Sequence, residues 1–234
     1  MILEYYDIKV IVLLKKNMKF TDSSEIIGKN ISSAMLRSEY LMKYHKEKTY
    51  KYVFGNFTPV EKDGIYKEGR LYMFELRTFD EKFLNHINKC LKDYESNTIK
   101  VITLNIKTVK QRKIKFIRTI NPAIVTTEDN KPWTRKDDLL LLVRRIHENA
   151  AKKYKKFFNR DIGETEDYFI EKLKILNKKP MSYKYKNIHL IGNKYLIKVN
   201  EDEKSQKLAF VTLGAGLAEK NSILGAGYCE TDWK

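Results

Sequence analysis

Two apolar periodicities alternate along this chain in a fixed order, and that order limits the fold more than any single motif. Residues 4–14 are apolar and rich in strand-forming types. Asp22-Ser-Ser-Glu25 then has the form of a capping box, the Asp22 carboxylate accepting the Glu25 amide. It opens a helix with Ile27, Ile31, Ala34 and Met35 on one side, ending near Ser38. Residues 50–58 alternate in strand fashion, 59–64 have turn chemistry, and 66–79 form a second strand, so the pair reads as a hairpin. Asp80 caps another helix, whose apolar positions Phe83, Leu84, Ile87, Leu91 and Tyr94 recur at spacings of three and four. Residues 98–109 supply the closing strand. Strand, helix, two strands, helix, strand is the split β-α-β unit.

The second half repeats this order less regularly. Residues 114–125 read as a strand, Pro132 and Trp133 as a loop, and 136–158 as a helix with Leu139, Leu142, Val143, Ile146, Ala150, Tyr154 and Phe157 along its apolar stripe. A helix is expected over 168–176, a hairpin over 187–199 around Gly192 and Asn193, a short helix over 204–213 and a last strand over 223–228. No low-complexity linker intervenes, so halves 1–113 and 114–234 are expected to pack closely.

Charge supplies the functional clue. The 234 residues carry 46 Lys plus Arg against 30 Asp plus Glu, a formal balance of +16. A polyanion is the natural partner, because each phosphate neutralised releases condensed counterions. No acid occurs in residues 96–127, which hold Lys100, Lys107, Lys110, Arg112, Lys113, Lys115 and Arg118. None occurs in 172–200 either, where eight lysines interleave with Tyr183, Tyr185 and Tyr195. Bases stack on tyrosine while lysine holds the backbone; the plainer reading of such runs is a solvated face. With 42% apolar residues, disorder is excluded for most of the chain. No apolar run approaches the roughly 20 residues that span a bilayer, and the N-terminus lacks a secretion signal, so an intracellular, cytoplasmic protein without membrane partners is expected. Cys90 and Cys229 are too few for a disulfide framework.

The most specific segment is Gly214-Ala-Gly216-Leu-Ala-Glu219-Lys220-Asn221-Ser222-Ile-Leu-Gly225-Ala-Gly227, where four of the ten glycines fall within 14 residues. Such a loop can turn amides toward a phosphate, with Lys220, Asn221 and Ser222 as further donors. Neither the dinucleotide fingerprint nor the phosphate-loop motif is matched. The segment resembles the C-terminal glycine-rich loop of the Cas6 family, CRISPR-associated endoribonucleases that cut repeat RNA. Here eight residues separate Gly216 from Gly225, against about five in the family pattern, and Ala226 stands where an aromatic is usual. The resemblance implies an α+β fold of tandem ferredoxin-like (RRM-like) domains, each an antiparallel sheet with helices on one face.

RNA carries its own nucleophile: the 2′-hydroxyl attacks the adjacent phosphorus once a base takes its proton. No metal or other cofactor is therefore expected, and no metal-ligand spacing is present; Asp137 and Asp138, adjacent on the expected helix, point in different directions. Histidine is the first candidate for proton transfer. His86 and His147 sit inside amphipathic helices, where a structural role is the plainer reading, and His189 lies beside a lysine-rich surface. His45 enters an irregular polar stretch after the first helix, the position at which the family commonly places its general base or acid. The resemblance thus implies His45 as the catalytic histidine, assisted by Lys51 or Tyr52, with Tyr44 and Lys29 as weaker options. RNA binding is expected from Lys29, from Arg112, Lys184 and Lys186 of the acid-free stretches, and from Gly214, Gly216, Lys220, Asn221, Ser222 and Gly225 of the glycine-rich segment. The expected activity is metal-independent cleavage of CRISPR repeat precursor RNA to 2′,3′-cyclic phosphate and 5′-hydroxyl ends, by a monomer or homodimer that also meets effector-complex subunits. The alternatives are a non-catalytic RNA-binding subunit of such a complex and a basic nucleic-acid-binding protein outside CRISPR biology.

Overall fold

The structure is a computed structural model that describes residues 2–46, 51–185 and 188–232, with the backbone alone for His45 and Lys46. The first half runs β1 (Glu4–Leu14), β2 (Met18–Lys19), α1 (Ser23–Met35), α2 (Glu39–Lys46), β3 (Tyr52–Phe54), β4 (Ile65–Tyr66), β5 (Leu71–Thr78), α3 (Glu81–Leu91) and β6 (Ile99–Lys110). Its main sheet has the order β3-β5-β1-β6, every neighbouring pair antiparallel. Alternation in β1 sends Ile8, Val10, Val12 and Leu14 to one face, where α1 and α3 cover them with Ile27, Ile31, Phe83 and Ile87. The Asp80 carboxylate caps α3 as expected, accepting from the Phe83 amide at 2.9 Å.

The second half runs β7 (Phe116–Thr119), α4 (Leu139–Phe158), β8 (Ile170–Ile175), β9 (Met181–Tyr185), β10 (Ile188–Gly192), β11 (Tyr195–Val199), α5 (Glu203–Ala215), α6 (Asn221–Leu224) and β12 (Cys229–Glu230). Its sheet has the order β12-β7-β11-β8. Setting aside β2, β4 and the β9–β10 hairpin, the strands of both halves lie in the order 2-3-1-4, so the molecule is a tandem of ferredoxin-like units. Among the described residues no helix is long and apolar enough to cross a membrane.

Several expected elements differ. Residues 20–22 form a tight 3-10 turn, which puts Asp22 in helical backbone (φ −95°, ψ −11°); its carboxylate makes no cap, and Glu25 pairs with Lys29 at 2.8 Å instead. His45 itself lies at the end of α2, a helix seated by the fully buried Leu41 and by Tyr40 stacked on His86 at 4.5 Å, while residues 47–50 of the expected irregular stretch lie outside the described residues. The expected helix over 168–176 is strand β8, paired with β11. β10 pairs with β9 rather than β11, so no hairpin forms around Gly192. Most of 223–228 is the end of α6 and a turn, leaving a two-residue β12. Asp137 and Asp138 precede α4: the latter caps the Leu140 amide at 2.9 Å and the former accepts from Thr134.

The halves share their interior. Leu3 and Tyr5, on β1 and just before it, belong to the core of the second half. Phe79 meets Tyr5, Phe157, Phe158 and Phe210 with ring centroids 5.0–5.9 Å apart. Beside it the buried Arg77 guanidinium bonds Asp7 Oδ2 at 3.0 Å and the Cys229 carbonyl at 2.6 Å, and lies 4.3 Å over the Tyr228 ring. Burial disfavours the cation, yet the surrounding Tyr228, Asp7 and Glu75 hold Arg77 firmly protonated.

Candidate active site and RNA-facing surface

Where the edge strand β3 meets the glycine-rich segment, a cavity of about 340 Å³ opens between the halves. Lys51 and Tyr52 line it from the first half; Asn149, Lys153 and Lys156 of α4, with Lys220 and Ser222 of the glycine-rich segment, line it from the second. Two glycines set the loop against the strand. Gly225 has φ +62° and packs on the Phe54 carbonyl oxygen so closely that a Cβ would collide with it; Gly227, φ +66°, meets the Leu217 carbonyl in the same way. Both positions require left-handed backbone and close approach, the combination glycine alone supplies cheaply.

The loop's polar groups are largely spent within the protein. The Leu217, Glu219 and Gly227 amides donate to the carbonyls of Gly227, Ile124 and Pro122. The Lys153 ammonium donates to the carbonyls of Gly216 and Ala218 at 2.6 and 2.7 Å and to Asn221 Oδ1 at 2.7 Å. Asn221 Nδ2 in turn donates to Leu217 and Ala226. Burial pushes the Lys153 pKa down to about 7, with the nearby Cys229 and Glu219 opposing. These bonds brace the loop against α4 and residues 122–124. Gly214, Gly216, Gly225 and Asn221 are buried and shape the loop, while Lys220 is exposed and Ser222 half-buried at the cavity.

Lys51 stands at the start of β3, its ammonium 3.3 Å from Asp80 Oδ2, the oxygen that also accepts from the Tyr44 hydroxyl at 2.6 Å. Burial opposes ionisation of Asp80, but the bonds from Tyr44 and the Phe83 amide and the charge of Lys51 hold its pKa below the usual value. Burial and the Asp80 bond raise that of Tyr44, so its phenol stays protonated. Tyr44 is the neighbour of His45, which brings the end of α2 to this corner. The side chain of His45 and the whole of Lys186 lie outside the described residues. The ring of Tyr52 is 2% exposed, stacks on Phe83 at 5.0 Å and aims its hydroxyl at Met35 Sδ, the surroundings of a core residue. Lys29 is exposed on α1, paired with Glu25, and is not part of the cavity wall; Arg112 is exposed beyond β6 and Lys184 on β9. His86 bonds Ser38 and His189 bonds Ser182, each through Nδ1.

Strand register joins the two acid-free stretches. Leu196 is flanked by Arg118 on β7 and Lys174 on β8, and Lys198 by Phe116 and Lys172, which puts cations from both stretches side by side on one sheet. Lys194 sits close enough to Arg118 that burial and this like charge both lower its pKa. Sequence reasoning missed the polar stripe of α4. Asn149, Lys153 and Lys156 follow i, i+4, i+7 spacing and so share one helix face, a signal present in the sequence but hidden among surface lysines. Among the described residues no three His, Cys, Asp or Glu side chains cluster as a metal site would need.

A family model described as CRISPR associated protein Cas6, C-terminal, matches residues 104–231, more than half of the chain. Among solved structures, one described as CRISPR associated protein Cas6 superposes with a TM-score of 0.72 at 19% identity, covering 97% of this chain and 99% of that one. A RAMP protein described as binding different RNA substrates gives 0.73 at 17% identity, with coverage of 97% and 99%. The product of a Cas6-related gene from Pyrococcus furiosus gives 0.70 at 15% identity, with coverage of 97% and 98%. At these identities the likeness establishes the fold. No curated protein matched the sequence.

Proposed function

The chain belongs to the Cas6 family, RNA-cleaving proteins of CRISPR repeat processing, and on that premise we propose that it is a metal-independent endoribonuclease cutting repeat precursor RNA through the substrate's own 2′-hydroxyl. The observation that carries this reading is the two-walled lysine cavity beside the end of α2. On this reading His45 takes the 2′-hydroxyl proton. The 2′-oxygen attacks phosphorus, and Lys51, oriented by Asp80 and Tyr44, offsets the extra negative charge of the phosphorane, the kind of fixed electrostatic stabilisation that is usually the largest catalytic contribution. The products are a 2′,3′-cyclic phosphate and a 5′-hydroxyl. Arg118, Lys172, Lys174 and Lys198 on the second sheet, with Lys184 and Arg112, hold the RNA backbone and give binding a steep salt dependence.

Incubation of the protein with repeat RNA from its own genome, in EDTA, tests the reading. Cleavage is expected from wild type and not from His45→Ala, and a single deoxyribose 5′ of the scissile phosphate should block cutting while leaving binding. Intact RNA beside wild-type protein that binds it would leave a non-catalytic RNA-binding subunit. Cutting by His45→Ala at the wild-type rate would remove His45 from the mechanism.

A further inference from the structure

On the footing of the endoribonuclease reading, we propose that Lys156 is a further catalytic residue, the donor of the proton that the leaving 5′-oxygen takes as the phosphodiester is cut. Four ammonium groups line the cavity, and their surroundings separate their roles. Lys51 is held 3.3 Å from the Asp80 carboxylate, a fixed position that suits it to charge stabilisation. All three protons of Lys153 are directed at oxygens of the glycine-rich loop and its Asn221, so none is aimed at a substrate. Lys220 and Lys156 both reach water, Lys220 from the glycine-rich loop and Lys156 from α4.

Lys156 stands close enough to Lys51, in the same cavity, for the like charge to act on it. It lies one turn beyond Lys153 on the same face of α4, and among the described residues no carboxylate comes within 4.0 Å of it. Burial and the like charge of Lys51 both ease the loss of its proton. An acid working near neutral pH needs that property, because proton transfer is most effective when the donor's affinity lies near the working pH. The step then balances. The 2′-oxygen loses its proton to His45 and bonds phosphorus; the P–O5′ bond breaks with its electron pair on the 5′-oxygen; that oxygen takes a proton from the Lys156 ammonium. His45 leaves protonated and Lys156 neutral, and exchange with water resets both.

The test compares wild type, Lys156→Gln and Lys156→Arg on two repeat RNAs, one natural and one with sulfur replacing the bridging 5′-oxygen at the scissile phosphate. Thiolate leaves without protonation, so it needs no acid. On natural RNA, Lys156→Gln should lose about 100-fold or more in single-turnover rate, the usual scale of general acid catalysis, with affinity changed far less. Lys156→Arg should be equally slow, since guanidinium keeps the charge but does not give up its proton. Both variants should regain close to wild-type rates on the sulfur substrate. If Lys156→Gln cuts natural RNA at the wild-type rate, if sulfur fails to rescue it, or if Lys156→Arg restores activity, the assignment is overturned while the enzyme reading stands. If wild type leaves both RNAs intact, the enzyme reading fails and takes the assignment with it.

Discussion

The Tyr44 hydroxyl and the Lys51 ammonium meet on one atom, Asp80 Oδ2, at 2.6 and 3.3 Å, while the other oxygen of that carboxylate caps α3. One side chain thus starts a helix and aims a cation. Asp80→Asn keeps an acceptor for the Phe83 amide but removes the charge that holds Lys51. Its unfolding free energy should stay within about 1 kcal/mol of wild type, whereas Asp80→Ala should lose about that much through the cap. Both should slow single-turnover cleavage. Urea melts beside cleavage rates separate the two roles: a fast Asp80→Asn enzyme would remove Asp80 from the positioning of Lys51.

Lys153 ties α4 to the glycine-rich loop through three oxygens. Lys153→Met leaves those oxygens buried without a donor, and unsatisfied buried acceptors cost about 1–3 kcal/mol each. A loss of about 3 kcal/mol or more is expected in urea unfolding. Lys152→Met, at the exposed neighbouring position, should change stability by no more than about 0.5 kcal/mol. Equal stability of the two variants would contradict the brace.

Gly225→Ala places a methyl against the Phe54 carbonyl in left-handed backbone. The backbone conformation alone costs about 1–2 kcal/mol for a residue with a Cβ, and relief of the collision moves the loop away from β3. RNA cleavage should fall although the residue is buried. Unchanged cleavage with unchanged melting temperature would count against the close approach.

His147 accepts the Phe169 amide at Nδ1, 3.1 Å away, which requires that nitrogen to be unprotonated. Burial lowers its pKa, with only Glu148 opposing. The unfolded chain therefore binds the proton more readily than the folded one. Stability rises with pH through the window below the unfolded value of about 6.5 and is lost as the solution is acidified through it. His147→Asn keeps an acceptor near Nδ1 without a titrating ring. Its melting temperature should fall less than that of wild type between pH 7.5 and 5.5; parallel curves would rule out His147 as the source of the sensitivity.

The order of elements was legible because burial writes itself into spacing: Phe83, Leu84, Ile87 and Leu91 face one core and nothing else explains their recurrence. α2 escaped notice because eight mostly polar residues carry little periodic signal. β8 read as a helix because Ile170, Leu173 and Leu176 recur every third residue, a spacing that an edge strand with one half-covered face also tolerates. Hairpin pairing went wrong at Gly192 because alternation names a strand but not its partner. At the site, glycine marked the loop, yet only coordinates reveal that its carbonyls belong to Lys153. Lys156 was invisible for the same reason that surface lysines are common: long cations border most amphipathic helices.

The cavity has one wall in each half of the chain, so its chemistry is assembled late. A half-synthesised or proteolytically clipped polypeptide holds Lys51 without Lys156 or Lys220. On the proposed reading, dividing the pocket in this way makes activity wait for both halves to fold.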